Sequence, residues 1–235
     1  MKNKILAIVL ASSIAGTASA QMAFQSGVID FSYADDQFAP GVVSLGFGGR
    51  ADYDIGSFGV QLDGSANVLT DFTNSFSVYS VGIHVNKTLN NGTKLGGFAG
   101  VDTISLFGLT DNIYNIGAEA MMSFGAADVE VAIVGLFADN LGDANWRAKI
   151  DVYYGISRAF EVSLGVNYWL DGGPGAALFT IGADYQLPNM PISIGAKYYF
   201  VDGFDRLEFV ASYEFGNPDN QRLFQKRVLP FFFGA

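Results

Sequence analysis

Trp146-Arg147-Ala148-Lys149-Ile150-Asp151-Val152-Tyr153-Tyr154-Gly155-Ile156 alternates strictly between two kinds of side chain. Trp146, Ala148, Ile150, Val152, Tyr154 and Ile156 fall on one face, and Arg147, Lys149, Asp151, Tyr153 and Gly155 on the other. A period of two residues is the repeat of a β-strand, whose successive side chains point to opposite faces. The same pattern recurs from about residue 43 to residue 215, broken by short turns rich in Gly, Asp, Asn and Pro. The alternation predicts twelve strands, with ten or fourteen as the alternatives. They lie near residues 27 to 33, 43 to 53, 58 to 68, 76 to 87, 94 to 103, 113 to 124, 128 to 137, 145 to 156, 160 to 170, 176 to 187, 191 to 200 and 206 to 215. Most are close to the roughly 10 residues that a tilted strand needs to cross a hydrocarbon core.

The two faces differ in kind. One carries Val43, Leu45 and Phe47, Val81, Ile83 and Val85, Val162, Leu164 and Val166, and Leu207 and Phe209. The other carries Arg50, Asp52, Asp63, His84, Glu119, Glu161, Asp184, Lys197 and Glu208, interspersed with glycines such as Gly46, Gly96, Gly117 and Gly182. A charge held against lipid at mid-depth costs about 2–4 kcal/mol. The apolar face therefore has to meet lipid and the charged face an enclosed interior. A soluble sandwich also hides an apolar face. Two features weigh against it here, the glycines crowding the polar face and the aromatics gathered near strand ends. Tyr53, Phe58, Phe124, Phe160, Tyr213 and Phe215 form one rim, and Phe72, Phe137, Trp146, Trp169, Phe200 and Phe204 the other, like interfacial girdles.

The amino terminus reads as an export leader. Lys2 and Lys4 precede an apolar run from Ile5 to Ile14, and Ala18-Ser19-Ala20 is a small-residue cleavage site before Gln21. The domain reading is a signal peptide at 1–20, a barrel at 21–215 and a carboxy-terminal tail at 216–235. The tail is also open to a second reading, a segment folding back into the lumen. Half of the residues are hydrophobic, yet acidic residues outnumber basic ones 23 to 13. Removal of the leader with Lys2 and Lys4 leaves 11 basic against 23 acidic residues, a formal charge of −12. That charge disfavours nucleic acid as a partner. The chain has no cysteine, so disulfides and thiolate metal sites are excluded.

Taken together these features resemble a Gram-negative outer-membrane β-barrel of the small porin-like kind. Leu207 to Phe215, ending in Tyr213-Glu214-Phe215, is similar to that family's last-strand assembly signal, although about twenty residues follow it here. The resemblance implies a transmembrane antiparallel up-and-down β-barrel in the outer membrane, with both termini in the periplasm. It also implies outer-membrane lipids and the barrel assembly machinery as partners, and a monomer rather than a trimer.

The candidate lumen-lining residues are Arg50, Asp63, His84, Glu119, Arg147, Lys149, Asp151, Glu161, Asp184, Lys197 and Glu208. Twelve strands lie between barrels of eight, which side chains fill, and barrels of sixteen, which hold an open channel. The expected function is passive diffusion of small hydrophilic solutes with a weak preference for cations, because acidic lumen residues outnumber basic ones. A non-conducting structural barrel is the alternative, with the lumen charges paired across the interior. An outer-membrane lipid-modifying enzyme comes third. A nucleophilic Ser needs a base within hydrogen-bond reach, and His84 is the single histidine. Ser80 on the same face lies roughly 13 Å from it at strand rise. No catalytic, metal or cofactor motif is present: Gly46-Phe47-Gly48-Gly49 sits within a strand, not between strand and helix. The segments between strands on the side opposite the termini carry Asp35, Asp36, Asp71, Asp111, Asp139, Asp143, Asp171, Asp202 and Asp205 without a Lys or Arg. This is either a cation-concentrating rim or ordinary turn chemistry.

Overall fold

The period-two segments form twelve antiparallel strands, each hydrogen-bonded to its neighbours in the sequence, and the last closes on the first. The structure, a computed structural model, describes residues 22–36, 42–70, 75–106, 109–138, 145–170, 177–201, 204–216 and 224. The leader, with its cleavage site, lies outside the described residues. The first six strands are β1 (Met22–Asp36), β2 (Val43–Ile55), β3 (Phe58–Thr70), β4 (Ser75–Thr88), β5 (Lys94–Leu106) and β6 (Leu109–Phe124). The second six are β7 (Ala127–Ala138), β8 (Asn145–Gly155), β9 (Phe160–Trp169), β10 (Leu178–Gln186), β11 (Ile192–Val201) and β12 (Phe204–Gly216).

One end of the barrel is closed by short connections. Gly56 and Gly125, at the first position of two-residue turns, take positive φ of 64° and 65°. Hairpin turns that match the twist of the strands require that conformation. Both ends of the strand set, Met22 and Gly216, lie at this same end. Gly216 has a φ of 97°, and a Cβ there would collide with the carbonyl oxygen of Gln25. It allows the chain to leave the sheet beside the register shift between Phe24 and Ser26.

The faces divide as the alternation requires. Leu45, Phe47, Leu62, Tyr79, Val81, Ile150, Leu164, Ile181, Ile194 and Phe209 are exposed on the outer surface. Gln61, His84, Asp102, Glu119, Glu130 and Arg147 are buried on the inner one. An outside of exposed aliphatics around a buried polar inside is the inverse of a soluble fold, and lipid is the solvent that suits it. Tyr53 and Phe215 ring the short-turn end, both against Phe24, at ring separations of 5.6 and 5.7 Å.

Three expectations change. The segment 104–112 is not a loop: β5 runs to Leu106 and β6 starts at Leu109. Polar side chains extend this ladder, with Thr103 donating to Asn112 at 2.8 Å and Ser105 bonded to Thr110 at 3.2 Å. Likewise β1 starts at Met22, five residues before the expected boundary. Trp169 leaves the girdle, because it shares inward parity with Glu161 and Asn167 and lies under the guanidinium of Arg147, 3.6 Å from its ring centroid. Phe72 lies outside the described residues.

Leu164 is 58 % exposed midway along β9. Leu164→Arg should therefore lower the stability of the folded barrel in bilayers by about 2–4 kcal/mol, read from urea titrations. Val210→Thr, on an inward position of β12, should change it much less.

Candidate functional site

Inward positions of β3, β4 and β6 converge on one cluster. His84 Nε2 lies 2.8 Å from Asp63 Oδ2, and its Nδ1 lies 2.7 Å from Glu119 Oε1. Two glycines provide the room. Asp63 faces Gly82 across the β3–β4 ladder, so its carboxylate can lean along the wall to His84. Glu119 faces Gly96, where a Cβ would stand 3.0 Å from Oε1, and so it reaches over β5 to β4. A neutral imidazole donates from one nitrogen only. Two hydrogen bonds to two carboxyl groups therefore require one further proton, on the ring or on a carboxyl. The net charge is −1 in either arrangement.

This geometry bears on His84 as the base of a serine nucleophile. Both ring nitrogens are engaged by carboxyl groups, which leaves none to take a proton from a serine. Ser80 lies instead opposite Ser65 across the β3–β4 ladder, in a cavity of about 10 Å³ also lined by Asp102 and Asn115. That is room for about one water.

The rest of the lumen is tied down by short contacts. Lys149 is 2.8 Å from Asp151, and Arg147 stacks over Trp169. On the last strands, Tyr199 donates to Glu208 at 2.7 Å, and Arg206 bridges Ser44 at 3.4 Å and Glu208 at 3.7 Å. Lys197 faces Glu208 across the β11–β12 ladder. The β7–β10 wall that carries Arg147 and Lys149 also sets like charges together: Glu130 is directly opposite Asp151, and Glu161 directly opposite Asp184. Like charges facing each other across a ladder oppose folding.

The structure thus sets Arg50, Asp63, His84, Glu119, Arg147, Lys149, Asp151, Glu161, Asp184, Lys197 and Glu208 at inward positions on nine strands. It joins Asp63, His84 and Glu119 in one cluster, Lys149 with Asp151, and Glu161 with Asp184 across a ladder. Arg50 instead points at Phe224, whose carbonyl oxygen is 3.5 Å from Nη1. Tyr213 and Phe215 are exposed on the outside of β12, their rings 6.4 Å apart. Of the acidic rim, Asp35, Asp36, Asp111 and Asp205 lie on strands, whereas Asp71, Asp139, Asp143, Asp171 and Asp202 are outside the described residues.

Sequence reasoning missed Phe98 and Met121, buried on the inner face, and Arg206. The parity of their strands assigns all three to the lumen. It also missed that Gln61 and Lys94 hold Phe224, a residue in a stretch without any period to read.

A closed antiparallel barrel with an apolar outside and a charged inside defines the architecture of outer-membrane pores and their relatives. No protein-family model and no curated relative matches the chain. Among solved structures it is similar to the KdgM porin, at 11% identity and a TM-score of 0.62, covering 80% of this chain and 99% of that one. It is also similar to the COG4313 outer membrane channel from Pseudomonas putida F1, at 12% identity and a TM-score of 0.56, covering 84% and 97%. A third is the outer membrane phospholipase A from Escherichia coli, at 9% identity and a TM-score of 0.55, covering 82% and 90%. These likenesses establish a shared fold.

Removing His84 strands two buried carboxylates. His84→Ala should cost about 3–5 kcal/mol of stability in a urea titration of the refolded barrel. Adding Asp63→Asn and Glu119→Gln should recover most of that loss.

Proposed function

We propose that the chain is a porin-like channel of the outer membrane, through which small hydrophilic solutes diffuse passively with a weak preference for cations. The observation that carries this reading is the lumen itself. It is charged and enclosed, and on the β7–β10 wall acidic residues oppose acidic residues at Glu130–Asp151 and Glu161–Asp184. A structural barrel gains nothing from such pairs, whereas a cation pathway uses them. The likeness to the KdgM porin and the COG4313 channel supports the same class, and the KdgM porin has been solved in complex with disordered oligogalacturonate. The carboxylates on both nitrogens of His84 speak against an enzyme.

In this reading residues 1–20 direct export, residues 21–215 form the barrel, and the chain works as a monomer surrounded by outer-membrane lipids. Tyr213 and Phe215 on the last strand are the contacts offered to the barrel assembly machinery. The second reading, a non-conducting structural barrel, is favoured by one observation: many lumen charges are paired within the wall, as at Lys149–Asp151 and Arg206–Glu208.

Planar-bilayer recording separates the two. A channel should give stable unitary steps with a reversal potential on the cation-selective side in a KCl gradient, and Glu161→Gln with Asp184→Asn should move that potential towards zero. Silence of the wild type and of every lumen variant would establish the structural barrel.

A further inference from the structure

Phe224 lies beyond the last strand yet is 0 % exposed, seated on the inner wall of β2 to β5. Its ring stacks on His84 with centroids 6.0 Å apart and an interplanar angle of 8°. The ammonium of Lys94 sits 5.6 Å from the same ring, within the range of a cation–π contact. Its carbonyl oxygen accepts a hydrogen bond from Gln61 Nε2 at 2.9 Å and lies 3.5 Å from Arg50 Nη1. Gln61 also donates to Asp63 at 2.8 Å, and His84 is fixed by Asp63 and Glu119. The seat is thus held in place by its own hydrogen bonds. His84 and Gln61 are each 1 % exposed, so the contacts are made in a desolvated setting where they are strongest.

The seat recognises two groups at once. The imidazole and the ammonium read the face of an aromatic ring, and the amide and guanidinium read an oxygen acceptor a few bonds away. All four side chains lie towards the short-turn end, where β12 also finishes. Phe224 is the eighth residue after Gly216, an extended reach of at most about 26–29 Å, so the end of β12 and the seat are joined by one short stretch of chain.

We infer that Arg50, Gln61, His84 and Lys94 form a recognition site for an aromatic ring carrying a nearby carbonyl or carboxylate, and that its resident occupant is Phe224 of the chain's own tail. Occupied in this way, the lumen is narrowed by a tethered plug, and a solute bearing the same two groups competes for the seat. The inference rests on the channel reading for its consequence, but the seat itself can be tested without current.

The chain lacks cysteine, so Gln61→Cys with Phe224→Cys gives a single thiol pair. Mild oxidation of the refolded full-length barrel should link the pair, seen as a mobility shift that reductant abolishes. Asn167→Cys with Phe224→Cys, on the β9 wall, should stay unlinked. The Phe224→Ala barrel should bind N-acetyl-L-phenylalanine amide by calorimetry, and Gln61→Leu in that background should weaken binding about threefold to tenfold, the loss of one hydrogen bond. Phe224→Ala should also raise the unitary current above wild type, and the same compound, added on the short-turn side, should reduce it. Equal linking of both cysteine pairs, or no binding to Phe224→Ala, would overturn the seat. Equal currents in wild type and Phe224→Ala would overturn the plug. Silence of both, with linking and binding intact, would refute the pore and leave the seat standing.

Discussion

Inside hydrocarbon no water is present to satisfy a backbone N–H or C=O, so a spanning sheet must have no free edge. The ladder between β1 and β12, from Ser26↔Gly216 to Asp36↔Arg206, supplies that closure. It joins segments separated by most of the chain, and every other ladder joins sequence neighbours. Closure therefore comes late, since such pairing has to offset the entropy of ordering everything between. The features at this seam match that demand. The register shift after Phe24, the positive φ of Gly216 and the stacked rings of Phe24 and Phe215 all sit where the two ends meet.

Once the sheet is closed, each strand commits one face to lipid and the other to the lumen, and the lumen must absorb every polar side chain. Twelve strands enclose more room than the side chains of an eight-stranded barrel would fill. Part of the interior is filled by pairing large residues with glycine. Phe98 lies against Gly117 and Glu119 against Gly96, so one side chain spans two positions of the wall. The Asp63–His84–Glu119 cluster depends on this arrangement, because a side chain at position 96 would stand in the way of Glu119. The same cluster orients His84 as a flat platform, which is what Phe224 stacks on. Closure, glycine placement, cluster and tail seat thus form one causal chain.

The strand count and the facing of the charged residues could be read from the sequence because a period of two is enforced along the whole of each strand by two different solvents. Strand ends could not, because nothing in that physics stops a ladder at the membrane surface. Thr110, Asp111 and Asn112 look like a turn, but Thr110 and Asn112 have polar partners across the ladder and all three extend β6 instead. Trp169 was misplaced because nearness to a strand end was weighed above parity, and parity is the stronger rule. Phe224 was beyond reach for another reason. Its partners are set by three-dimensional proximity to residues over 120 positions away, and no local pattern carries that information.

The distribution of lumen charge ties the tail to selectivity. Acidic residues face each other on the β7–β10 wall, while Arg50 and Lys94 lie on the β2–β5 wall. With Phe224 seated, Arg50 is directed at its carbonyl and Lys94 at its ring face. On the channel reading a permeating cation then meets the facing carboxylates of the β7–β10 wall, among which Arg147 and Lys149 also stand. On the same reading, loss of the Phe224 ring frees room in the lumen and removes one contact each from Arg50 and Lys94, which weakens a field favouring cations. If the chain conducts as proposed, a wider pore is therefore also a less selective one, and the two properties are coupled through one aromatic side chain.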